Sequence, residues 1–319
     1  MKKAFEETCN IDNLNDEWYQ SLEIFIFGDG TDERVTYLPR KLSTSFKGGA
    51  YRLRYDVKTE QCTIEKTNIL GNLSPLETSY SGDITIGLLP TLQELGINGK
   101  NVLIDITGIK HPAFFYLFSL LIEKEKPRQL FVGYTEPERY VPHGSTEIEE
   151  RFQLFEGYLG IRALPGFARL PDDPKEKLLV VFLGFEGTRL QYVHGETEPG
   201  DGNTIAVVGF PAFRPGWQNL TMAANQSALQ STRACLYMQT AIAYSPFDAY
   251  NLLHELQSQR PTQRLIMAPI GTRPHALGAV LYAIKNPGSY LLHDFPIEVQ
   301  EHRTERVGKC HIFHLSSFL

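Results

Sequence analysis

The chain has 319 residues, of which 42% are hydrophobic and 21% are charged, and its formal net charge is −6. This length and composition are typical of a globular protein with about two domains. The acidic balance argues against general nucleic-acid binding, which usually needs a basic surface. The 4 cysteines form no CxxC pair, so we expect neither a zinc module nor a disulfide framework. No bound metal or cofactor is expected either.

No export or membrane signal is visible in the apolar runs. The first ten residues, MKKAFEETCN, turn acidic after two lysines and lack an apolar core, so we expect no signal peptide. The longest apolar stretch, residues 112–122, is too short to span a bilayer. Scattered free cysteines suit a reducing compartment. We therefore expect a cytoplasmic protein without a membrane partner.

The first half of the chain opens with a strand that leads into a glycine turn and a basic residue. The apolar run 23–27 predicts the strand. The turn contains Gly28 and Thr31, and Arg34 follows it. Residues 34–69 then alternate in short runs, YRLRYDV and CTIEKTNI, which predict a small antiparallel insertion.

A second strand, turn and helix follow an amphipathic helix predicted at 82–95. The run NVLID from residue 101 predicts a strand, and an apolar helix begins at residue 113. Gly108, Lys110 and the pair His111-Pro112 separate the two. Asp105 ends the strand, where it is a candidate contact for a ribose hydroxyl or a metal, or simply caps the turn. A further strand is predicted at 129–134.

The second half begins after the most linker-like segment of the chain, Pro171-Asp172-Asp173-Pro174, where we place the domain boundary. The apolar run 178–183 predicts a strand buried on both faces of a parallel sheet. Helices are predicted at 225–238 and 246–257. The glycine turn after the first strand and the aromatic, cationic loop after a second strand at 204–210 hold the candidate contacts Gly184, Gly187, Thr188, Arg189, Phe213, Arg214 and Trp217.

The most informative stretch is QRLIMAPIGTRPHALGAVLYA, residues 263–283. It predicts an apolar strand, a tight turn at Gly271, and a helix that begins near Arg273–His275. The free N–H groups and the positive dipole end of that helix favour an anion above the turn. Thr272 and Arg273 add a hydroxyl and a guanidinium. An ordinary turn with Thr272 as the helix cap explains the same residues.

The chain contains this pattern twice, which indicates an internal duplication. Each half has a glycine turn that ends in an arginine, followed by a turn of the form glycine, any residue, then a basic residue. The glycines of the two turns are 80 residues apart in the first half, from Gly28 to Gly108, and 87 apart in the second, from Gly184 to Gly271.

The alternation of strands and helices predicts an α/β fold with largely parallel sheets. We expect two tandem Rossmann-like units, residues 1–170 with the antiparallel insertion and residues 175–319. Ligands of such sheets bind beyond the carboxyl ends of the strands. We therefore predict a cleft between the halves that binds a nucleotide or another phosphorylated small molecule, contacted by Arg34, Lys110, Arg189 and Arg273.

The segment LIMAPIGTRPHALGAVLYA resembles the Asn-x-Thr-Gly-Gly-Thr-Lys-x-Met turn of CARF domains. Gly271, Thr272 and Arg273 match its Gly-Thr-Lys, and Thr107-Gly108-x-Lys110 is a poorer copy. CARF domains are Rossmann-like sensors of cyclic oligonucleotides in bacterial immunity, and two of them in one chain resemble a SAVED domain. The resemblance implies a ligand sensor of an antiviral defence system that acts with a separate effector protein.

Two other classes of function are open at the level of sequence. In the first, the protein is a nucleotide-processing enzyme in which His111 or His275 acts as a general base, although histidines at such turns commonly cap or pack. In the second, it is a non-catalytic assembly subunit of a defence complex, with Trp217, Phe213 and Tyr140 in an interface. The sequence favours binding over turnover, and it leaves catalysis undecided.

Overall fold

The structure is a computed structural model, and it describes residues 8–30, 32–69, 75–142, 148, 151, 155–164, 167, 176–298 and 304–319. The predicted boundary at 171–174 and the candidate Thr31 lie outside these residues. The chain forms two compact units. We call Phe5–Tyr140 with Thr304–Leu319 the split unit, and Val141–Arg303 the inserted unit.

Strands and helices alternate through much of the chain, as the hydrophobic periodicity predicts. The strands are β1 (Thr8–Asn10), β2 (Ile24–Phe27), β3 (Gly49–Tyr55), β4 (Gln61–Thr67), β5 (Pro75–Asp83), β6 (Asn101–Asp105), β7 (Gln129–Tyr140), β8 (Phe155–Tyr158), β9 (Arg162–Ala163), β10 (Lys177–Phe182), β11 (Thr204–Gly209), β12 (Met238–Ala241), β13 (Arg264–Pro269), β14 (Tyr290–His293), β15 (Pro296–Glu298) and β16 (Thr304–His314).

The helices are α1 (Asp16–Ser21), α2 (Glu33–Leu42), α3 (Ile84–Glu94), α4 (His111–Leu120), α5 (Gly187–Thr197), α6 (Trp217–Ala224), α7 (Gln226–Ser231), α8 (Pro246–Gln259) and α9 (Arg273–Lys285). A π-helical turn, Leu121–Glu125, extends α4. Short 3-10 helices occur at Ile11–Asn13, Ala234–Leu236 and Ser316–Phe318.

The split unit is built on one sheet with the strand order β1-β16-β7-β6-β2-β3-β4-β5. The four central strands, β7, β6, β2 and β3, are parallel to one another, and the strands outside them pair antiparallel. The run YRLRYDV supplies β3, and it pairs antiparallel with β4 as predicted. The expected separate insertion at 34–69 is nevertheless wrong, because Glu33–Leu42 forms helix α2 and β3 also pairs in parallel with β2. The segment therefore belongs to the main sheet and its covering helices.

The inserted unit has a second sheet with the strand order β12-β11-β10-β13-β14-β9. All neighbours from β12 to β14 are parallel, and β9 is antiparallel at one edge. Every residue of β10, with the sequence KLLVVF, is buried, as expected for a strand covered on both faces. The molecule is therefore an α/β protein: the sheet of the inserted unit is mostly parallel, and the sheet of the split unit has a parallel centre with antiparallel strands on both sides.

One predicted helix, at 225–238, is wrong in its second part. Helix α7 ends at Ser231, and Arg233 adopts a left-handed backbone with φ of 56°. A non-glycine residue in this conformation interrupts a right-handed helix. The chain then forms the short strand β12 from Met238.

Candidate functional site

The candidate site lies at the carboxyl edge of the parallel strands of the inserted unit. Strands β10, β11, β12 and β13 run in the same direction, so the loops that follow them lie at one edge of the sheet. Chain order runs from β10 to β11 and β12 on one side, and β13 lies on the other side of β10. The direction of winding therefore changes between β10 and β13, where open α/β sheets bind their ligands.

Two glycine turns meet at this point. Phe182 and Pro269 lie opposite each other at the ends of β10 and β13. A Cβ placed on Gly271 would lie 2.3 Å from the carbonyl oxygen of Leu183. A Cβ on Gly184 would lie 3.0 Å from the carbonyl oxygen of Ile270. The two backbones therefore touch, and glycine permits this close approach.

The split unit repeats this geometry between β2 and β6. The strand ends Phe27 and Asp105 lie opposite each other, and a Cβ on Gly28 would lie 2.1 Å from the carbonyl carbon of Gly108. The chain winds away in both directions from this pair of strands as well. In each unit, the first glycine turn and the second glycine turn of the repeated pattern are thus in contact.

Helix α9 presents its N-terminus at this edge. Thr272 is its N-cap, and its hydroxyl oxygen accepts a hydrogen bond from the His275 N–H at 3.3 Å. The same hydroxyl donates to the carbonyl oxygen of Ala243 at 2.8 Å, which joins α9 to the loop after β12. Arg273, the first helical residue, is half-buried, and the first turn carries no acidic residue. This end of the helix is therefore electropositive.

Helix α5 begins next to the same glycine contact. Its N-cap, Glu186, makes no side-chain capping hydrogen bond. Gly187 packs so closely that its Cβ would lie 2.5 Å from the carbonyl oxygen of Ala224 at the end of α6. Thr188 is exposed, and its hydroxyl lies 3.2 Å from the Tyr158 hydroxyl.

Four aromatic rings, which we call the aromatic cluster, lie on the loops after β10, β11 and β12 or, for Trp217, on the first helical residue after such a loop. They are Phe185, Phe213, Trp217 and Tyr244, all half-buried. The Trp217 ring centroid lies 6.0 Å from that of Phe185 and 6.5 Å from that of Phe213, with edge-to-face geometry. Phe213 and Tyr244 are 6.2 Å apart. Arg214 adds a cation directly beside Phe213 in the sequence.

The sequence indicated only part of this cluster. It identified Phe213, Arg214 and Trp217 as one loop, but it did not identify Phe185 or Tyr244. Phe185 lies between Gly184 and Glu186, in a turn where an aromatic residue is unusual. This unusual position was the one local feature that could have identified Phe185 from the sequence. Tyr244 lies just before Ser245, the N-cap of α8, and no local pattern marks it.

Arg189 has an internal role. Its Nε and Nη2 donate to the two carboxylate oxygens of Asp294 at 2.6 Å each, and its Nη1 donates to the carbonyl oxygen of Ile270 at 3.0 Å. Both side chains are buried. Burial alone would lower the pKa of the guanidinium, but the Asp294 and Glu186 carboxylates raise it above its ordinary value. Arg189 holds the turn after β13 in place.

Arg34 has a comparable role in the split unit. Its Nη2 pairs with Asp32 Oδ2 at 2.6 Å, and its Nη1 donates to the carbonyl oxygen of Thr135. Asp32 is the N-cap of α2 and also accepts a hydrogen bond from the Thr304 hydroxyl at 2.5 Å. This arginine therefore connects α2 to β7.

The remaining candidates of the split unit lie at the N-terminus of α4. Lys110 is the N-cap residue and is half-buried, and Pro112 occupies the first turn. His111 packs against the rings of Phe114 and Phe115, at centroid distances of 5.2 and 5.6 Å.

His275 lies fully inside the inserted unit. Its Nε2–H donates to the carbonyl oxygen of Ile242 at 3.1 Å, and its ring packs on Phe182. Burial lowers the pKa of the imidazole to about 4, so the ring is neutral at physiological pH. It supports the turn of α9 from beneath.

We expect the burial of His275 to make the stability of the inserted unit depend on pH. Between the ordinary pKa of 6.5 and the folded value of about 4, the unfolded chain binds a proton that the folded unit does not bind. Stability is therefore lost as the pH falls through this window, by about 1.4 kcal/mol per pH unit for one group.

The His275→Gln variant tests this dependence, because glutamine keeps a donor for Ile242 but does not titrate. Chemical unfolding at several pH values between 7 and 5 should show that the free energy difference between wild type and variant narrows as the pH falls. Parallel pH profiles would contradict the prediction.

Two further features are absent from the residues that the structure describes. No group of three or more His, Cys, Asp or Glu side chains there could hold a metal ion. Among the helices that the structure describes, none is long and apolar enough to cross a membrane. No protein-family model, curated protein or solved structure matches the chain.

Proposed function

We propose that the inserted unit binds a nucleotide-type anion, without turnover, at the carboxyl edge of its parallel sheet. The observation that carries the proposal is the position of the aromatic cluster. It lies at the same sheet edge as the N-termini of α5 and α9 and the contact between Gly184 and Gly271. An aromatic wall beside an electropositive helix end suits a ligand that has both a base and a phosphate.

The phosphate would bind at the N-terminus of α9. Backbone N–H groups and the helix dipole favour an anion there, and Arg273, the first residue of the helix, would add a charge-assisted hydrogen bond. The Thr272 hydroxyl is already engaged with Ala243 and His275. Thr272 therefore supports the turn, and Arg273 provides the direct contact.

The base would stack on the aromatic cluster. Trp217 contacts Phe185 and Phe213 edge-to-face, and its indole ring would be the platform for the base. Base stacking on an aromatic side chain contributes about 1–3 kcal/mol. Arg214, on the same loop, supplies a second positive charge.

Binding fits the site better than catalysis does. Of the two histidines that the sequence offers as a base, His275 is the one in this unit, and it is fully buried, is neutral and donates its Nε2–H to a backbone carbonyl. A general base must reach the proton that it abstracts. His275 lies under the turn instead, and its role is to support it.

We also propose that the two units derive from one Rossmann-like half, and that the ligand is a signalling nucleotide, for instance a cyclic oligonucleotide. The contacts of Gly28 with Gly108 and of Gly184 with Gly271 support the duplication. The resemblance of Gly271-Thr272-Arg273 to the CARF turn supports the ligand class. The protein would then act as a sensor in an antiviral defence system, together with a separate effector chain.

Fluorescence of Trp217 tests the proposed function. The chain has 2 tryptophans, and the other, Trp18, packs on Phe131 in the split unit. In a Trp18→Phe protein, titration with linear and cyclic adenine and guanine nucleotides should change the emission saturably. Arg273→Ala should weaken binding by about 10- to 100-fold, since hydrogen bonds to charged groups contribute about 1.5–3 kcal/mol.

Arg264→Ala is the matched control, because Arg264 is exposed at the opposite, amino end of β13. Its affinity should equal that of the parent. Saturable binding that Arg273→Ala does not weaken would place the anion elsewhere. The absence of any fluorescence or melting-temperature response to all of these nucleotides would overturn the proposal.

A further inference from the structure

An unusually uncharged segment covers one edge of the inserted unit. Between Arg214 and Asp248, Arg233 is the only charged residue, whereas 21% of the whole chain is charged. Arg233 itself pairs with Asp201 at 2.9 Å. The segment supplies α6, α7 and β12. Depletion of charge is a compositional mark of protein interfaces.

The same edge exposes large apolar side chains. Phe210, Met222, Leu236 and Tyr237 are exposed by 52%, 37%, 67% and 41%. Within the described residues, only Ile86 and Ile148 are comparable elsewhere. Phe210, Met222 and Met238 line a groove of about 300 Å³ that also contains the uncharged Gln218, Gln239 and Thr240. We call this surface, formed by α6, the 3-10 turn Ala234–Leu236 and β12, the neutral face.

The neutral face contains an open sheet edge. Strand β12 is the last strand on its side of the sheet, and no strand in the described part of the chain pairs with its outer edge. The Phe210 N–H donates to the Ala241 carbonyl at 2.8 Å, so Ala241 points its backbone groups towards β11. Because alternate residues point in opposite directions, Met238 and Thr240 offer theirs to another strand.

We propose that the neutral face binds the neutral face of a second copy of this chain, with β12 pairing antiparallel to its symmetry mate. In a twofold interface, each residue near the axis meets the same residue of the partner. A charged surface would place like charges together, which costs several kcal/mol, whereas α6, the 3-10 turn and β12 contribute no charged side chain. The Arg260 guanidinium, 5.7 Å from the Tyr237 ring, is a cation at the margin of this face. Two apolar grooves and two open strand edges would then be covered at once.

Sedimentation equilibrium of the full chain tests the proposal. The wild type should form dimers at micromolar concentration. Leu236→Glu puts a carboxylate into the contact and should raise the dimer dissociation constant by at least about 100-fold. Thr240→Pro, which removes an outward N–H from β12, should weaken the dimer in the same direction. Both positions are exposed, so the Leu236→Glu carboxylate stays in water in the monomer and the Thr240→Pro ring does not enter the core of the unit.

Ile86→Glu is the control, because Ile86 is 73% exposed on α3 of the split unit and lies outside the neutral face. This variant should dimerise like the wild type. Far-UV circular dichroism should show that the Leu236→Glu and Thr240→Pro proteins are folded. A wild type that is monomeric at all concentrations, with or without affinity for another protein, would overturn the proposal. So would a dimer that Leu236→Glu leaves intact.

Discussion

Asp294→Ala is expected to lower the free energy of unfolding of the inserted unit by about 3–5 kcal/mol, the usual effect of removing one partner from a buried ion pair. Asp294 is fully buried and accepts two hydrogen bonds from Arg189 at 2.6 Å. Without the carboxylate, the guanidinium stays in the interior with Glu186 Oε2 at 3.5 Å as its remaining anionic partner. The buried guanidinium then lacks both its hydration by water and the Asp294 carboxylate, which compensates for that loss in the wild type.

The pH dependence of this pair follows from the direction of the shift. Burial alone would raise the pKa of Asp294, but the adjacent guanidinium lowers it below its ordinary value. The stabilisation is therefore fully present above the unfolded pKa, about 3.9. It is lost as the pH falls through the folded pKa. At neutral pH, the whole effect of the substitution should be observed.

Unfolding by guanidinium chloride, followed by Trp217 emission in a Trp18→Phe protein, measures the change in the free energy of unfolding of the inserted unit. The control is Asp201→Ala, which removes the partner of Arg233 in a pair with side-chain exposures of 78% and 66%. Such exposed pairs contribute little, so this variant should unfold like its parent. The double variant Arg189→Met with Asp294→Leu removes both charges and should lose less stability than Asp294→Ala. Equal losses of stability in Asp294→Ala and Asp201→Ala would refute a dominant role for the buried pair.

Gly271→Ala is expected to destabilise the inserted unit by about 3 kcal/mol, at the upper end of overpacking effects. The new methyl group would lie 2.3 Å from the carbonyl oxygen of Leu183, 2.8 Å from its carbonyl carbon and 3.0 Å from the oxygen of Phe182. All of these are backbone atoms of the β10 strand end and turn, so no side-chain rotation relieves the contact. The turn has to move, and the proposed ligand site should lose affinity with it.

Gly288→Ala provides the comparison for Gly271→Ala in the same unit. A Cβ at Gly288 meets no atom within 4 Å. Alanine there should be neutral or stabilise by up to about 1 kcal/mol through the unfolded state. Unfolding of both variants, followed at Trp217, checks the prediction. Two alanines with the same small effect would mean that the two turns are not held in close contact.

The sequence predicted the elements whose signal is local. The apolar runs that form β2, β6, β10, β11 and β13 are continuous, and the apolar and capping residues of α9 mark its start near Thr272. The matched glycine turns were recognised because glycine followed by a basic residue is a short pattern. The residue types of the proposed anion site could therefore be identified from the sequence, whereas their arrangement in space could not.

The roles of the two arginines were not predictable, because their partners are distant or shared. Arg189 and Asp294 are separated by 105 residues, and no local pattern links them. A cation after a glycine turn is equally compatible with a ligand contact and with an internal ion pair, so the local pattern does not distinguish the two roles. Arg34 similarly reaches Thr135 across 101 residues. The aromatic cluster was missed in part for the same reason, since its four rings come from three separate loops.

The order of the chain has a consequence for synthesis on the ribosome. Strand β16 pairs with β7 on one side and with β1 on the other, so the sheet of the split unit is incomplete until residues 304–314 have been translated. All strands of the inserted unit's main sheet are made before that point. The inserted unit can therefore finish folding before the split unit. Until β16 is made, β7 and β1 of the split unit lack their shared neighbour and have unpaired backbone groups at one edge.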